Sequence, residues 1–183
     1  YLHLDPNIIT TNECEGGAGV FQVTEKDISK LKNLKFDKKG EYIWKKDHFN
    51  KPTFLTVSSQ LNLEALSCGL GPVYTTNKSF RSEHSSTNKH LSEFTHLEIE
   101  TCFIDLDYLM DISERYIKFI ANYLLQNNKN DLFELNKFVS KGIVNRIENL
   151  KSCKFHKITH RDSITLLKEN KVNCDYNDDL SSE

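Results

Sequence analysis

Residues 80–103, FRSEHSSTNKHLSEFTHLEIETCF, decide the fold prediction for this chain. Successive side chains of a β-strand point to opposite faces. In the strand predicted over 93–103, one face combines an aromatic ring, a histidine, two carboxylates and a thiol: Phe94, His96, Glu98, Glu100 and Cys102. The other face is apolar and carries Leu97, Ile99 and Phe103. A shorter strand predicted over 80–84 places Arg81 and Glu83 on one shared face.

These two strands are predicted to form an antiparallel hairpin at the centre of a sheet. The segment 107–126 has apolar residues at helical spacing, so we expect a helix that packs on the apolar face of the hairpin. Leu97 and Ile99 should then be deeply buried against helices, whereas Arg81 and Phe94 should line an open cleft. The opposite arrangement, with Leu97 and Ile99 in solvent and the carboxylates turned into the helices, would indicate a register that is wrong by one residue.

Two interpretations of the polar face follow from the alternation alone. A sheet with one solvated face shows the same pattern, and the charged residues are then ordinary surface groups. Phe94, however, exposes apolar area on that face unless a flat group stacks on it. The planar guanidinium of Arg81 suits a phosphate or a carboxylate. Together these residues suit a nucleotide, with its base on Phe94, its α-phosphate on Arg81, and a metal ion and an amine near the acids.

The rest of the chain combines short strands with helices. Strands are predicted over 2–10, 21–23, 53–57 and 73–75, and helices over 58–70, 131–150 and 162–169. Ser58 is the predicted N-cap of the first helix, and the second is interrupted near Gly142. The Lys-rich segment 25–48, with a turn at Gly40, is predicted to be an insertion that holds a hairpin or a loop. Strands first, with helices between and after them, indicate an α+β fold with a largely antiparallel sheet.

Composition excludes several classes of protein. With 183 residues, 38% of them hydrophobic, the chain can bury a core and is not a disordered tail. A net charge of −2 argues against a general nucleic-acid coat, and no apolar run is long enough for a membrane helix. The five cysteines form no CxxC pair, which argues against a disulfide framework or a zinc site and favours a reducing compartment. Because the sequence opens at Tyr1 in a strand-like segment, we expect the true N-terminus to be missing.

The segment 80–100 resembles motif 2 of the class II aminoacyl-tRNA synthetases, in the form found in asparaginyl enzymes: FRxE, a loop that ends in a basic residue, and HLxEFTHxExE. Four other blocks resemble the same enzymes in the same order. PNIIT at 6–10 resembles the end of motif 1, CEGGAGVFQV at 14–23 the mobile loop over the amino acid, FLTVSSQLNLEAL at 54–66 the amino-acid pocket, and DDLSSE at 178–183 the segment before the last third of the catalytic domain. The resemblance covers nearly all of residues 1–183 and implies an incomplete class II catalytic domain, an antiparallel sheet flanked by helices.

This resemblance implies a role for each matching residue. Arg81 is the implied catalytic residue, because it would contact the α-phosphate of ATP and stabilise charge as the amino-acid carboxylate attacks. The implied ATP-binding residues are Arg81, Glu83, His90, Phe94 and Glu100. The implied amino-acid-binding residues are Glu15, Ser58, Gln60, His96 and Glu98. Without the resemblance, several of them have plain structural interpretations as a turn residue, a helix cap or solvated histidines: Glu15, Ser58, His90 and His96.

The implied reaction is the ATP-dependent activation of asparagine and its transfer to tRNA(Asn). ATP and Mg²⁺ are the implied cofactors, and the metal ligands are expected mainly beyond the C-terminal end of this sequence. A homodimer formed through motif 1 and a cytoplasmic location, with an organelle as the alternative, are also implied. The sequence lacks the OB-fold anticodon domain, most of motif 1 and motif 3, so we expect this chain alone to charge no tRNA.

The choice between asparagine and aspartate depends on one position. Aspartyl enzymes carry a lysine three residues after the pocket glutamine, and here that position is Leu63, after Gln60. A buried substrate carboxylate without its cation is costly, so the neutral amide of asparagine fits better. Three alternatives stay open: an aspartyl enzyme, an ammonia-dependent asparagine synthetase with the same fold, and a non-enzymatic RNA-binding or regulatory fragment.

Overall fold

The computed structural model describes residues 1–12, 19–83 and 90–178, together with the backbone but not the side chain of Leu31. The chain divides into two compact units, Tyr1–Ile104 and Asp105–Glu183. The first contains the β-strands and one α-helix, and the second contains four α-helices. The predicted α+β class is therefore confirmed.

The main sheet of the first unit has three strands in the order β1-β4-β5. Strand β1 (Leu2–His3) runs parallel to β4 (Val73–Phe80), and β5 (Glu93–Glu100) runs antiparallel to β4. A second, two-stranded sheet pairs β2 (Ile9–Thr10) with β3 (Phe54–Leu55). Two of the three strand pairings are antiparallel, as the sequence predicts, but β4 is the central strand of the described sheet and β5 lies at its edge.

Several strand boundaries differ from the predictions. The segments 73–75 and 80–84 were expected as separate strands, whereas one continuous strand ends at Phe80. Arg81 extends the ladder by one hydrogen bond, from its backbone N to the Ser92 carbonyl at 3.0 Å. The strand predicted over 93–103 ends at Glu100, and Phe103, with a positive φ of 61°, is fully exposed instead of packed. Segment 21–23 contributes a single bridge, between Gln22 and Phe54.

Helix α1 (Gln60–Leu70) covers the face of the sheet that was expected to be open. Three β4 residues directly opposite Glu100, Glu98 and Phe94 are completely buried: Val73, Thr75 and Ser79. The helix buries Leu63 and Ser67 and ends at Gly71, whose φ of 78° suits a glycine. The β4 side chains on this face are small, which lets the helix approach that strand closely.

The predicted deep burial of Leu97 and Ile99 is therefore wrong. Leu97 is half-buried, and Ile99 is 42% exposed. The register itself contains no slip, because pairing is continuous from Val73 opposite Glu100 to Phe80 opposite Glu93. Alternation thus correctly predicts which residues share a face, but the face covered by α1 is the one that carries the acids. Packing of the helix 107–126 on this sheet would join the two units and stays a prediction.

The Lys-rich segment 25–48 is folded around one buried carboxylate. Phe36 and Tyr42 form an antiparallel bridge around a turn at Gly40, whose φ is 84°, so the predicted turn is confirmed and the hairpin is the one of the two predicted forms that the structure shows. Asp47 is 5% exposed and accepts hydrogen bonds from the Thr24 hydroxyl, from the Tyr42 hydroxyl at 2.8 Å, and from two backbone N–H groups. Burial raises the pKa of Asp47, but the hydroxyl donors outweigh that effect and lower it to about 2.

The second unit is helical, as predicted. It contains α2 (Leu106–Asn127), α3 (Lys129–Phe138), α4 (Ile143–Ser152) and α5 (His160–Glu169). Side chains cap two of these helices: Asp105 accepts from the Tyr108 N–H, and Thr159 accepts from the Asp162 N–H. The interruption predicted near Gly142 is real, because that glycine has a φ of 83° and separates α3 from α4. In the described part of the chain, no helix is both long and apolar enough to cross a membrane.

Candidate active site

Arg81 and Phe94 lie together at one end of the β4–β5 pair, as the sequence predicts. Strand pairing sets this position, because Ser79 is opposite Phe94 and Arg81 follows two residues later. The guanidinium carbon of Arg81 is 5.5 Å from the centre of the Phe94 ring, and both side chains are half-buried. The arginine therefore lies over an aromatic face, a favourable cation–π arrangement that also fixes the guanidinium.

One atom of this arginine is unusual. The Nε of Arg81 is buried and has no hydrogen-bond partner within residues 1–12, 19–83 and 90–178. A buried polar N–H without a partner costs free energy, and each such group in a native protein calls for an explanation. An anion bound at this point would satisfy it.

Glu98 is held firmly by the start of helix α1. Its two carboxylate oxygens lie 3.1 and 2.9 Å from the backbone N of Ser59, and one accepts a hydrogen bond from the Ser58 hydroxyl. Its side chain is only 10% exposed. The N-terminus of a helix favours a negative charge, so Glu98 fixes the position of α1 on the sheet. The Ser58 oxygen also accepts from the Gln60 N–H at 3.0 Å, although the helix begins at Gln60 and its N-cap position is Ser59.

His96 lies between two partners on the same face. Its Nδ1 is 3.1 Å from the hydroxyl of the buried Ser79 and 3.7 Å from a Glu98 oxygen. Its ring centre is also 5.6 Å from that of Phe94. Both contacts are made through Nδ1, so they set the orientation of the imidazole relative to Phe94. Sequence reasoning missed Ser79, whose place on β4 opposite Phe94 becomes visible only with the strand register.

Gly19 supports the arginine from the other side. The Ser82 backbone N donates to the Gly19 carbonyl at 2.6 Å. A Cβ added to Gly19 would lie 2.7 Å from the Ser82 carbonyl oxygen, which is too close for any other residue. Gly19 thus lets two backbones meet beside Arg81. Sequence reasoning assigned no role to Gly19.

Glu83 and His90 approach each other at the edge of the site. His90 Nε2 lies 3.5 Å from a Glu83 carboxylate oxygen, and both side chains are partly exposed. The structure therefore brings together two predicted ATP-binding residues that are seven positions apart in the sequence.

Glu100 lies at the far end of β5, opposite the buried Val73. Burial, followed by the negative charge of Glu64, raises the pKa of its carboxyl. Glu100 therefore keeps its proton to a higher pH than an ordinary glutamate.

The structure describes only some of the residues that were predicted to bind the amino-acid substrate. Gln60 is exposed at the first position of α1, whereas Leu63, one turn later, is 1% exposed. Glu15 lies outside the described residues, as does most of the block at 178–183. Among the residues that the structure describes, no group of three or more His, Cys, Asp or Glu side chains is arranged to hold a metal ion.

Comparison with known proteins identifies the family. The model of the class II tRNA synthetases (D, K and N) matches residues 1–181. The chain belongs to this family. The resemblance of residues 80–100 to motif 2 of a class II tRNA synthetase is thereby supported by a match over nearly the whole chain.

Several similar proteins are named for asparagine. An asparagine–tRNA ligase of Clostridium botulinum is 35% identical over 176 residues, which are 96% of this chain and 37% of that protein. One of Buchnera aphidicola is 39% identical over 175 residues. The crystal structure of asparaginyl-tRNA synthetase from Pyrococcus horikoshii, complexed with asparaginyl-adenylate, is 29% identical with a TM-score of 0.76 and covers 99% of this chain and 35% of that one. The chain thus spans little more than a third of the length of these relatives.

Proposed function

We propose that this chain is the part of an asparagine–tRNA ligase that binds ATP and asparagine. The observation that carries the proposal is the buried Arg81 Nε, which lacks a partner in the described part of the chain and lies beside the ring of Phe94. An adenylate offers both a flat base and an anionic phosphate. Similarity to the Pyrococcus horikoshii enzyme, whose structure contains asparaginyl-adenylate, supports this choice of ligand.

In the proposed reaction, the asparagine carboxylate attacks the α-phosphorus of ATP in line, and pyrophosphate leaves. Negative charge increases on the α-phosphate oxygens as the new bond forms, and Arg81 is placed to stabilise it. Phe94 holds the adenine, and His90 and Glu83 contact the outer parts of the nucleotide. The ribose hydroxyl at the 3′ end of tRNA(Asn) then attacks the adenylate carbonyl and releases AMP.

Amino-acid recognition is assigned to the α1 end of the same face. Glu15, Ser58, Gln60, His96 and Glu98 are the proposed contacts. Glu98 already accepts hydrogen bonds from Ser58 and Ser59, so its contribution includes holding this pocket wall in place. The nearby apolar Leu63 offers no cation to neutralise an aspartate side chain, which supports the preference for asparagine.

Magnesium would accompany the nucleotide, since Mg²⁺ is usually bound through substrate phosphates and one or two carboxylates. Of the two acids at the end of motif 2, Glu98 already accepts from Ser58 and Ser59 and is assigned to the amino acid, so Glu100 is the carboxylate proposed to contribute. Its raised pKa fits a carboxyl that becomes ionised when a cation is nearby. The ion would neutralise charge on the phosphates that leave. A homodimer and a cytoplasmic or organellar location complete the proposal.

The test is ATP–pyrophosphate exchange by the full-length protein with each amino acid in turn. Asparagine should support exchange and aspartate should not, and asparagine should then be transferred to tRNA(Asn). Equal exchange with both amino acids would show that the pocket has been read wrongly. Exchange with aspartate alone would identify an aspartyl enzyme. Formation of free asparagine from aspartate and ammonia would identify an asparagine synthetase. The absence of exchange with any amino acid would favour a non-enzymatic role.

A further inference from the structure

Two thiols meet where helix α1 and strand β5 end. Cys68 lies in α1, and Cys102 follows β5 by two residues. Their sulfur atoms are 3.8 Å apart, although 34 positions separate them in the sequence. Cys68 is exposed and Cys102 is half-buried, so small oxidants can reach the pair.

The surroundings give the two thiols different properties. The Ser67 hydroxyl lies 3.0 Å from the Cys102 sulfur, and the Cys68 thiol contacts the same sulfur. Hydrogen bonding to Cys102, followed by the negative charges of Cys102, Glu64 and Glu100, raises the pKa of Cys68. Two potential donors, the Ser67 hydroxyl and the Cys68 thiol, therefore lie against the Cys102 sulfur and would stabilise a thiolate there. A thiolate is the form that reacts with oxidants.

We propose that Cys68 and Cys102 form a reversible disulfide that locks α1 against the end of β5. The S–S bond is about 2.05 Å long, so each sulfur must move by only roughly 1 Å. The segment around Cys102 lies beyond the regular strand and can accommodate this change. The disulfide joins two elements that also meet at Glu98 and Ser59, so it stiffens one wall of the candidate active site.

The reaction with hydrogen peroxide balances in two steps. The Cys102 thiolate attacks one peroxide oxygen, the O–O bond breaks, and a sulfenic acid and hydroxide form. The Cys68 thiol then attacks the Cys102 sulfur, the S–O bond breaks, and the disulfide and water are released. The proton that left Cys102 converts the hydroxide to water, so in total two thiols and one peroxide give one disulfide and two waters, and two electrons pass from sulfur to oxygen.

Peptide mapping of the full-length protein tests the proposal. Mild hydrogen peroxide should produce a linked peptide that contains Cys68 and Cys102, and dithiothreitol should remove it. Cys68→Ser should abolish this peptide, and Cys153→Ser, a change at a comparably exposed single thiol, should leave its yield unchanged. Amide exchange in Gln60–Leu70 should slow several-fold on oxidation of the wild type but not of Cys68→Ser.

Two results would overturn the proposal. One is recovery of Cys68 and Cys102 as separate thiols or sulfinic acids, with no linked peptide, under conditions that oxidise Cys153. The other is a linked peptide whose formation leaves amide exchange in α1 unchanged, because the disulfide would then lock nothing. Neither result depends on the proposed ligase activity, since both are read from the thiols and the backbone amides.

Discussion

The first unit contains two polar clusters, one around Asp47 and one around Arg81. They differ in whether their buried polar groups have hydrogen-bond partners. Around Asp47, hydroxyl and backbone donors surround a buried carboxylate and satisfy it. At the Arg81 end of β4, a buried Nε has no partner within the described residues. A buried polar group without a partner costs free energy, so the satisfied Asp47 cluster needs no ligand, whereas a bound anion would satisfy the Arg81 Nε.

Glu98 is a carboxylate with hydrogen-bond partners, and it lies on the face of the sheet that carries the candidate site. It lies two residues from His96, yet the Ser59 N–H and the Ser58 hydroxyl already occupy its oxygens. A conspicuous charge in a motif can therefore serve the scaffold and the site together, and the hydrogen-bond partners indicate which contribution dominates.

The largest expected effect is the loss of catalysis on Arg81→Ala. Removal of one preorganised charge contact should lower asparagine-dependent ATP–pyrophosphate exchange by about 10²-fold. The matched control is Arg115→Ala, because Arg115 pairs with Asp111 at a solvent-exposed position of α2. Exchange of Arg81→Ala within twofold of the wild type would contradict the proposed phosphate contact.

The Asp47 cluster should show the opposite behaviour, with a loss of stability and little loss of catalysis. Asp47→Asn should lower the free energy of unfolding by about 2 kcal/mol at pH 7, since a carboxyl whose pKa is well below its unfolded value stabilises the ionised native state. This stabilisation is fully present above the unfolded pKa near 3.8 and is lost as pH falls through about 2.

Denaturant unfolding across that pH range measures the effect. The two proteins should differ most at neutral pH and converge as pH falls towards 2. Asp111→Asn, which removes an exposed carboxylate, is the control and should change stability little at any pH. A constant difference between Asp47→Asn and wild type at all pH values would show that the ionised carboxylate is not what stabilises the cluster.

A smaller effect should follow from Gly19→Ala. The added methyl group would meet the Ser82 carbonyl oxygen at 2.7 Å, so the backbone beside Arg81 must shift. Displacement of a catalytic group by a fraction of an ångström should lower exchange by about tenfold. Gly69→Ala is a control of the same chemistry, because a Cβ there meets no atom within 4 Å, and unchanged exchange is expected. Equal exchange rates for Gly19→Ala and Gly69→Ala would contradict a role for Gly19 in positioning Arg81.

The sequence predicts which residues share a face of the sheet better than it predicts which face a helix covers. The alternation in 93–100 correctly assigns Phe94, His96 and Glu98 to one face, because strand geometry has a fixed period of two. Alternation cannot say which face a helix covers. That choice depends on Thr75 and Ser79, which look like surface residues in the sequence but are completely buried.

Long-range partners explain the other differences. Nothing local in the sequence connects Gly19 with Ser82, or Asp47 with Thr24, since only the folded backbone brings them together. Motif resemblance identified Arg81 and Phe94 correctly as neighbours, because their spacing is set by one hairpin. It gave no indication of Ser79, which lies outside the motif on the preceding strand.

A structure of the full-length protein with a non-hydrolysable asparaginyl-adenylate analogue tests the central claim most directly. We expect the adenine to lie against the Phe94 ring and Arg81 Nε to donate to an oxygen of the group that replaces the α-phosphate. The arginine N–H that has no partner in the described residues would then be satisfied. An analogue bound elsewhere, or bound here with Arg81 Nε still without an acceptor, would contradict the proposed adenylate site at Arg81 and Phe94.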